Sequence, residues 1–165
     1  MTYRLYTFVA NLYLSDIQKG IQTAHVVSEM AEQVASQKGE DLESYRKYFE
    51  WARNDKTIIV CGAGTHKGVL ECFAELQRVG TAALCLPSAL FREDEDSMNS
   101  MATACGILVP QQYYDAKYVS DTEWVQGALV GRWEYFDEVK GGFYTYPPSH
   151  PEGQFIQFLK SFRLA

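Results

Sequence analysis

Leu14–Met30 reads LSDIQKGIQTAHVVSEM, and the folding of this stretch decides how the rest of the chain is arranged. It follows an alternating, aromatic-rich run, Tyr3–Leu12, whose pattern predicts a first strand. Ser15 stands where an N-cap belongs. Ile17, Ile21, Ala24, Val27, Ala31 and Val34 recur at steps of three and four, which predicts a helix with an apolar stripe against a core. Gln18, Gln22, His25, Glu29 and Gln33 form a second stripe with the same spacing. One reading makes this a solvated face, with His25 bracing a loop. Solvated faces usually carry more Lys and Glu, so the other reading makes it the wall of a cleft.

Working outward, Gly39 is a candidate C′ residue, and Leu42, Tyr45, Phe49 and Ala52 predict a second helix over Glu40–Arg53. Thr57–Cys61 is a short continuous apolar run, as expected of a strand buried on both faces. A helix from Thr65 to Val79, ended by Gly80, follows the loop Gly62-Ala63-Gly64. Thr81–Leu86 and Ala102–Val109 predict two more strands, separated by the acidic run Glu93-Asp94-Glu95-Asp96. This order predicts an α/β fold, a two-layer or three-layer sandwich on a mixed, mostly four-stranded sheet. Beyond residue 110 the pattern predicts a short capped helix over Ser120–Gly131 and a hairpin from Arg132–Val139 and Phe143–Tyr146. A last helix is expected within His150–Leu164. The whole is expected to be one domain, residues 1–165, with 1–110 as core and 111–165 as a C-terminal hairpin and helix elaboration too small to fold alone.

Hydrophobic residues make up 47% of the chain, which excludes a disordered class. No apolar run is long enough to span a bilayer, so no membrane association is expected. The N-terminus alternates and lacks a small-residue cleavage site, so it reads as a strand and not a leader. Cys61, Cys72, Cys85 and Cys105 sit in apolar runs without C-x-x-C spacing, which points to buried free thiols and a cytoplasmic protein. His25, His66 and His150 show no ligand spacing with a cysteine, so neither a metal nor a cofactor is expected. The net charge of −6 weighs against a free-standing nucleic-acid binder. The best local basic patch, Arg46, Lys47, Arg53 and Lys56 around Tyr45, Tyr48, Phe49 and Trp51, reads as an amphipathic helix.

Few stretches announce chemistry. Gly62–Gly68 lies between a strand and a helix, where anion-binding loops occur, but its spacing fits neither G-x-G-x-x-G nor a P-loop, so a turn is expected. There is no G-x-S-x-G elbow. A carboxylate of the acidic run could act as a base if it were partly buried.

Two short motifs add a resemblance. Gly20-Ile21-Gln22-Thr23-Ala24-His25 is similar to the first-helix motif A-A-Q-C-[SA]-H of the archaeal and eukaryotic type of peptidyl-tRNA hydrolase. Thr103-Ala104-Cys105-Gly106-Ile107 resembles that family's last-strand stretch T-V-L-G-I. Together they cover parts of residues 3–110, and the compact form resembles bacteriophage-encoded proteins. The resemblance implies an α/β sandwich and cleavage of the ester between peptide and tRNA. It also implies a lysine four residues before the motif glutamine, and an Asp with a Thr near the last strand. Gln18 occupies the lysine position, with Lys19 beside it. The D-x-G-x-T loop is replaced by the region of Glu93, Asp94 and Asp96.

Three functions follow as expectations. A hydrolase would use Gln22 to position substrate, Asp94 or Asp96 to orient water, and Lys19 in place of the missing lysine. A non-catalytic binder would hold a nucleotide-like or small polar ligand through Gln18, Gln22, His25 and Thr103, whereas tRNA is the partner of the hydrolase reading. An interaction module would use Trp133, Tyr135, Phe143, Tyr144 and Tyr146, and a homodimer is one form it could take.

Overall fold

A computed structural model describes residues 2–165 and has the α/β architecture expected. Strand β1 (Tyr3–Val9) leads into α1 (Asp16–Ser36), α2 (Leu42–Glu50) and β2 (Ile58–Gly62). Next come α3 (His66–Glu75), the single turn α4 (Ala82–Leu84), β3 (Ser88–Arg92), the single turn α5 (Glu95–Met98) and β4 (Ala102–Pro110). The first sheet has the order β2-β1-β4-β3; β1 and β2 are parallel, and β4 runs antiparallel to both of its neighbours. The chain closes with α6 (Gln111–Asp115), the antiparallel meander β5 (Lys117–Val125), β6 (Ala128–Asp137) and β7 (Gly142–Tyr146), and α7 (Pro151–Lys160).

The sandwich has three layers, because β1 and β4 are buried on both faces. Leu5, Val9, Ala104 and Leu108 meet Val26, Met30 and Val34 of α1 with Tyr48 and Trp51. Phe8, Cys105, Ile107 and Val109 point the other way, to Val69, Cys72, Leu76 and the α7 residues Phe155, Ile156 and Leu159. Tyr113 and Tyr146 join this second cluster, so the C-terminal part shares the core of the first sheet. The open edge of β2 is covered by the chain terminus: Gly62 N–H donates to Arg163 O at 3.1 Å and Ala165 N–H to Val60 O at 2.9 Å.

Two expected elements are different. Thr81–Leu86 is not a strand. After α3 the helix widens into a π-type stretch, Leu76–Thr81, and runs on through α4. Gly80 does not end it. It is a close-approach point, where a Cβ would stand 2.3 Å from Ile107 Cδ1. The helix stops at Cys85, in the left-handed region at φ 51°, and the third strand begins after Pro87. Ser120–Gly131 is not a helix but the tip of the β5–β6 hairpin, turned by Gln126 (φ 49°) and Gly127 (φ 81°). Both turn residues have positive φ, as a two-residue hairpin loop matching strand twist requires.

All four cysteines are free. Cys61, Cys72 and Cys105 are buried, but Cys85 is exposed, contrary to the apolar-run reading. Burial, with Cys72 nearby, pushes the Cys61 thiol up to about 12. No helix among the described residues is long and apolar enough to cross a membrane.

Candidate functional site

Helix α1 is seated differently from the stripe that its isoleucines suggest. Its capping box is complete: Gln18 N–H donates to Ser15 Oγ at 3.3 Å, and Ser15 N–H donates to Gln18 Oε1 at 2.9 Å. Gln18 is thus exposed and used as a cap. The buried residues are Gln22, Thr23, Val26, Met30 and Val34, while Ile17 is 78% exposed and Ile21 48%. The expected stripe holds only over its C-terminal half. Seating depends on Gly106 of β4, where a Cβ would fall 2.7 Å from Val26 Cγ1. Gly20 has nothing within 4 Å of its would-be Cβ, so it serves no close approach.

This rotation carries Gln22 inside. Its Nε2 donates to Glu93 Oε1 at 2.6 Å, and its Oε1 accepts from Thr103 Oγ1 at 3.0 Å. Thr103 Oγ1 also lies 3.3 Å from Glu93 Oε1. Because the hydroxyl has one proton, it serves the two acceptors in alternation. Thr7 and Thr23 continue the polar seam at 3.2 Å.

A register shift builds the cluster. Phe91 pairs with Ala104 but Arg92 pairs with Ala102, so Thr103 is an extra residue in β4. Such a bulge re-aims a side chain. Simple alternation from Cys105 would point Thr103 to the α3 side. Instead it faces α1 beside Ala104, and Ala102 turns to the opposite cluster. Glu93 is held at the end of β3 by its N–H bond to Met101 O at 3.0 Å, which closes the loop around α5.

The remaining expected residues scatter. Lys19 lies one turn before Gln22 on the same helix face. Its side chain is 18% exposed, and its Nζ is 2.9 Å from the exposed carboxylate of Asp16. That hydrogen bond holds the Asp16 carboxyl below the usual range. Asp94 and Asp96 are exposed, and the carboxylate bonded to Gln22 is Glu93. His25 is exposed on α1 and stacks on Phe91 of β3, with centroids 4.3 Å apart and planes 7° from parallel. Burial of one acidic residue among four is invisible in sequence. The available signal is that Glu93 is the acidic residue nearest the β-like run Ala89-Leu90-Phe91, with only Arg92 between.

The glycine loop is a turn. The N–H groups of Gly62, Ala63, Gly64 and Gly68 go to Arg163 O, Val9 O, Asn11 Oδ1 and Thr65 Oγ1. A Cβ on Gly68 would lie 1.9 Å from Ala63 O, so its glycine serves packing. The basic segment is an amphipathic helix end: Tyr48 and Trp51 are buried, and Lys47 bonds Cys85 O and pairs with Glu43. Among the described residues no group of three or more His, Cys, Asp or Glu side chains could hold a metal ion.

The chain matches no protein-family model and no curated protein at a significant level.

Proposed function

We propose that this chain is a divergent peptidyl-tRNA-hydrolase-like protein whose site is Gln22, Glu93 and Thr103, with Lys19 at its rim. The observation that carries the reading is the hydrogen-bonded cluster of these three side chains. The resemblance names a glutamine on the first helix and an Asp with a threonine near the last strand, and here a Glu takes the place of the Asp. A glutamine, a carboxylate and a threonine meet here, although they are 71 and 81 positions apart along the chain. The mixed sheet order is the scaffold such a site needs.

Each group has a role that its chemistry allows. Glu93, held by two donors, orients the attacking water and takes its proton. The second hydrogen on Gln22 Nε2 is available to the ester carbonyl. Lys19 leaves Asp16 and supplies the positive charge that Gln18 cannot, opposite the developing oxyanion. Ile17 and Ile21, exposed on the same helix as Gln22, offer an apolar ledge to the peptide side of the ester. The partner in this reading is tRNA, and the compartment is the cytoplasm.

The test is hydrolysis of an N-blocked aminoacyl-tRNA by the full chain. Glu93→Gln should lower the rate by about 100-fold or more, the scale of a lost general base. Lys19→Met should lower it too, while Asp96→Asn leaves it unchanged. Turnover that survives Glu93→Gln ends the proposal.

One observation favours a second reading. Both polar atoms of Gln22 are already engaged inside the protein, as in a structural pin. A non-catalytic binder of a nucleotide-like group would then use the exposed ring of His25. Absence of turnover, with tRNA binding weakened by His25→Ala, would select it.

A further inference from the structure

The second sheet has two faces with different fates. Tyr118, Trp133, Tyr135, Tyr144 and Tyr146 share one face by register, and of these Trp133, Tyr135, Tyr144 and Tyr146 belong to or pack on the core. The opposite face carries Val119, Phe136 and Phe143 together with Lys117, Arg132, Glu134 and Thr145, and no helix or strand among the described residues forms a layer over it. Phe136 and Phe143 are cross-strand partners with ring centroids 4.8 Å apart, and they are 47% and 68% exposed. Val139, in the β6–β7 turn, is 97% exposed. A solvated antiparallel face is normally polar throughout, as this one is at Lys117, Arg132, Glu134 and Thr145, so the exposed phenylalanine pair at its end marks an anchor point for a partner.

This face lines a cavity of about 760 Å³. Its lining includes the carboxylates of Asp115, Glu134, Asp137 and Glu138 and the ammonium of Lys117, and Asp115 Oδ2 also accepts from Gln111 Nε2 at 2.7 Å. Some of that charge is in use: Glu134 pairs with Arg132 at 2.5 Å, and Asp137 Oδ1 accepts from Val139 and Lys140 N–H. An apolar floor with an acidic rim fits one kind of occupant.

We propose that the outer face of the second sheet, centred on Phe136 and Phe143, docks a cationic amphipathic segment of another protein. The apolar side chains of that segment lie on the two rings, and its Lys or Arg side chains meet the rim carboxylates. A second copy of this chain brings a net charge of −6 to an acidic rim, and a nucleic acid brings phosphates, so both are repelled. The inference is independent of the reading of the Gln22 site.

The experiment uses the full-length protein and two labelled peptides, one alternating lysine with leucine and one alternating lysine with serine, followed by fluorescence anisotropy. The lysine–leucine peptide should bind, and the lysine–serine peptide should bind about tenfold more weakly, as expected when the anchors are apolar. The double variant Phe136→Thr/Phe143→Ser should lose about tenfold in affinity for the first peptide. Glu138→Lys should weaken it about threefold and flatten its salt dependence. If the double variant shifts the urea midpoint, Val139→Asp replaces it, since that side chain is almost wholly exposed. Equal binding of the two peptides, or binding unchanged by the floor variants, overturns the proposal. So does a wild-type dimer in sedimentation that the double variant dissolves, which would assign the face to a second copy.

Discussion

The two sheets of this chain follow the same period-two rule with opposite results. In the first sheet every residue of β4, from Ala102 to Pro110, is buried, because α1 with α2 cover one face and α3 with α7 the other. In the second sheet β6 has one fully buried residue, Gly131, and its remaining positions are half-buried or exposed. A strand covered on both sides reads as an unbroken apolar run, whereas a strand covered on one side should alternate with polar residues. The second sheet breaks that expectation at Phe136 and Phe143. Its aromatic content therefore has two separate causes, a tyrosine- and tryptophan-rich face for the core and a phenylalanine pair for the outside.

The comparison can be broken most sharply by truncation. Ile107→Ala, in the middle of β4, should destabilise the fold by about 2–5 kcal/mol in urea melts, through lost burial and a cavity. Phe143→Ser, on the open face, should change stability by no more than about 0.5 kcal/mol. Equal losses at the two sites would mean that the second sheet is covered after all.

The next effect concerns the polar seam under α1. Thr103→Val removes the donor to Gln22 Oε1 and should cost about 1–3 kcal/mol, because a buried acceptor is left without its partner. Combined with Gln22→Leu, the losses should not add, and a cycle of the four proteins should give a coupling of about 0.5–3 kcal/mol. Simple additivity would show that the two side chains do not act as one unit.

A smaller, pH-dependent effect is expected at Asp41. Its side chain accepts from Ser44 N–H at 2.9 Å, which caps α2, and hydrogen bonding from the Ser44 side chain first and its N–H second holds the carboxyl below the usual carboxylate range. A depressed native pKa contributes stability above the unfolded pKa and loses it as pH falls through the native one. Asp41→Ala should therefore cost about 1 kcal/mol at neutral pH. The difference from wild type should shrink in acid, below the ordinary carboxylate range. A difference that stays constant as pH falls below that range would assign the loss to something other than the ionised cap.

The smallest change is expected at Tyr146, where the second sheet meets the core. Its hydroxyl is the buried side-chain polar atom without a hydrogen-bond partner among the described residues, and burial first, then Glu152, raises its pKa. Tyr146→Phe should leave stability unchanged or raise it by up to about 1 kcal/mol. Clear destabilisation would point to a bonded hydroxyl.

Local chemistry alone was enough for part of this architecture. The Ser15 cap, the strands Thr57–Cys61 and Ala102–Val109 and the hairpin of Arg132–Val139 with Phe143–Tyr146 are legible because each depends on neighbours within a few positions, although β2 is an edge strand in which only Cys61 is buried, and not the strand buried on both faces that its apolar run suggests. The β5–β6 turn was misread because Gln126-Gly127 lacks the Asn or Asp that usually marks such a loop, while Ser120 and Glu123 imitate a capping box. Gly80 was misread because its reason is Ile107, a residue on another element.

The candidate site belongs wholly to the tertiary level. Gln22 and Thr103 could be singled out along the chain, but nothing local says that α1 turns its isoleucines outward. That follows from Gly106, which lets Val26 close onto β4, and from the polar end of the sheet, which accepts Gln22 and not Ile21. The choice of Glu93 over Asp94 and Asp96 depends on the bulge opposite Phe91 and Arg92, a property of strand pairing. A one-residue register shift re-aims a side chain without changing the composition of either strand. The hydroxyl, the amide and the carboxylate therefore meet only once β3, β4 and α1 are packed together.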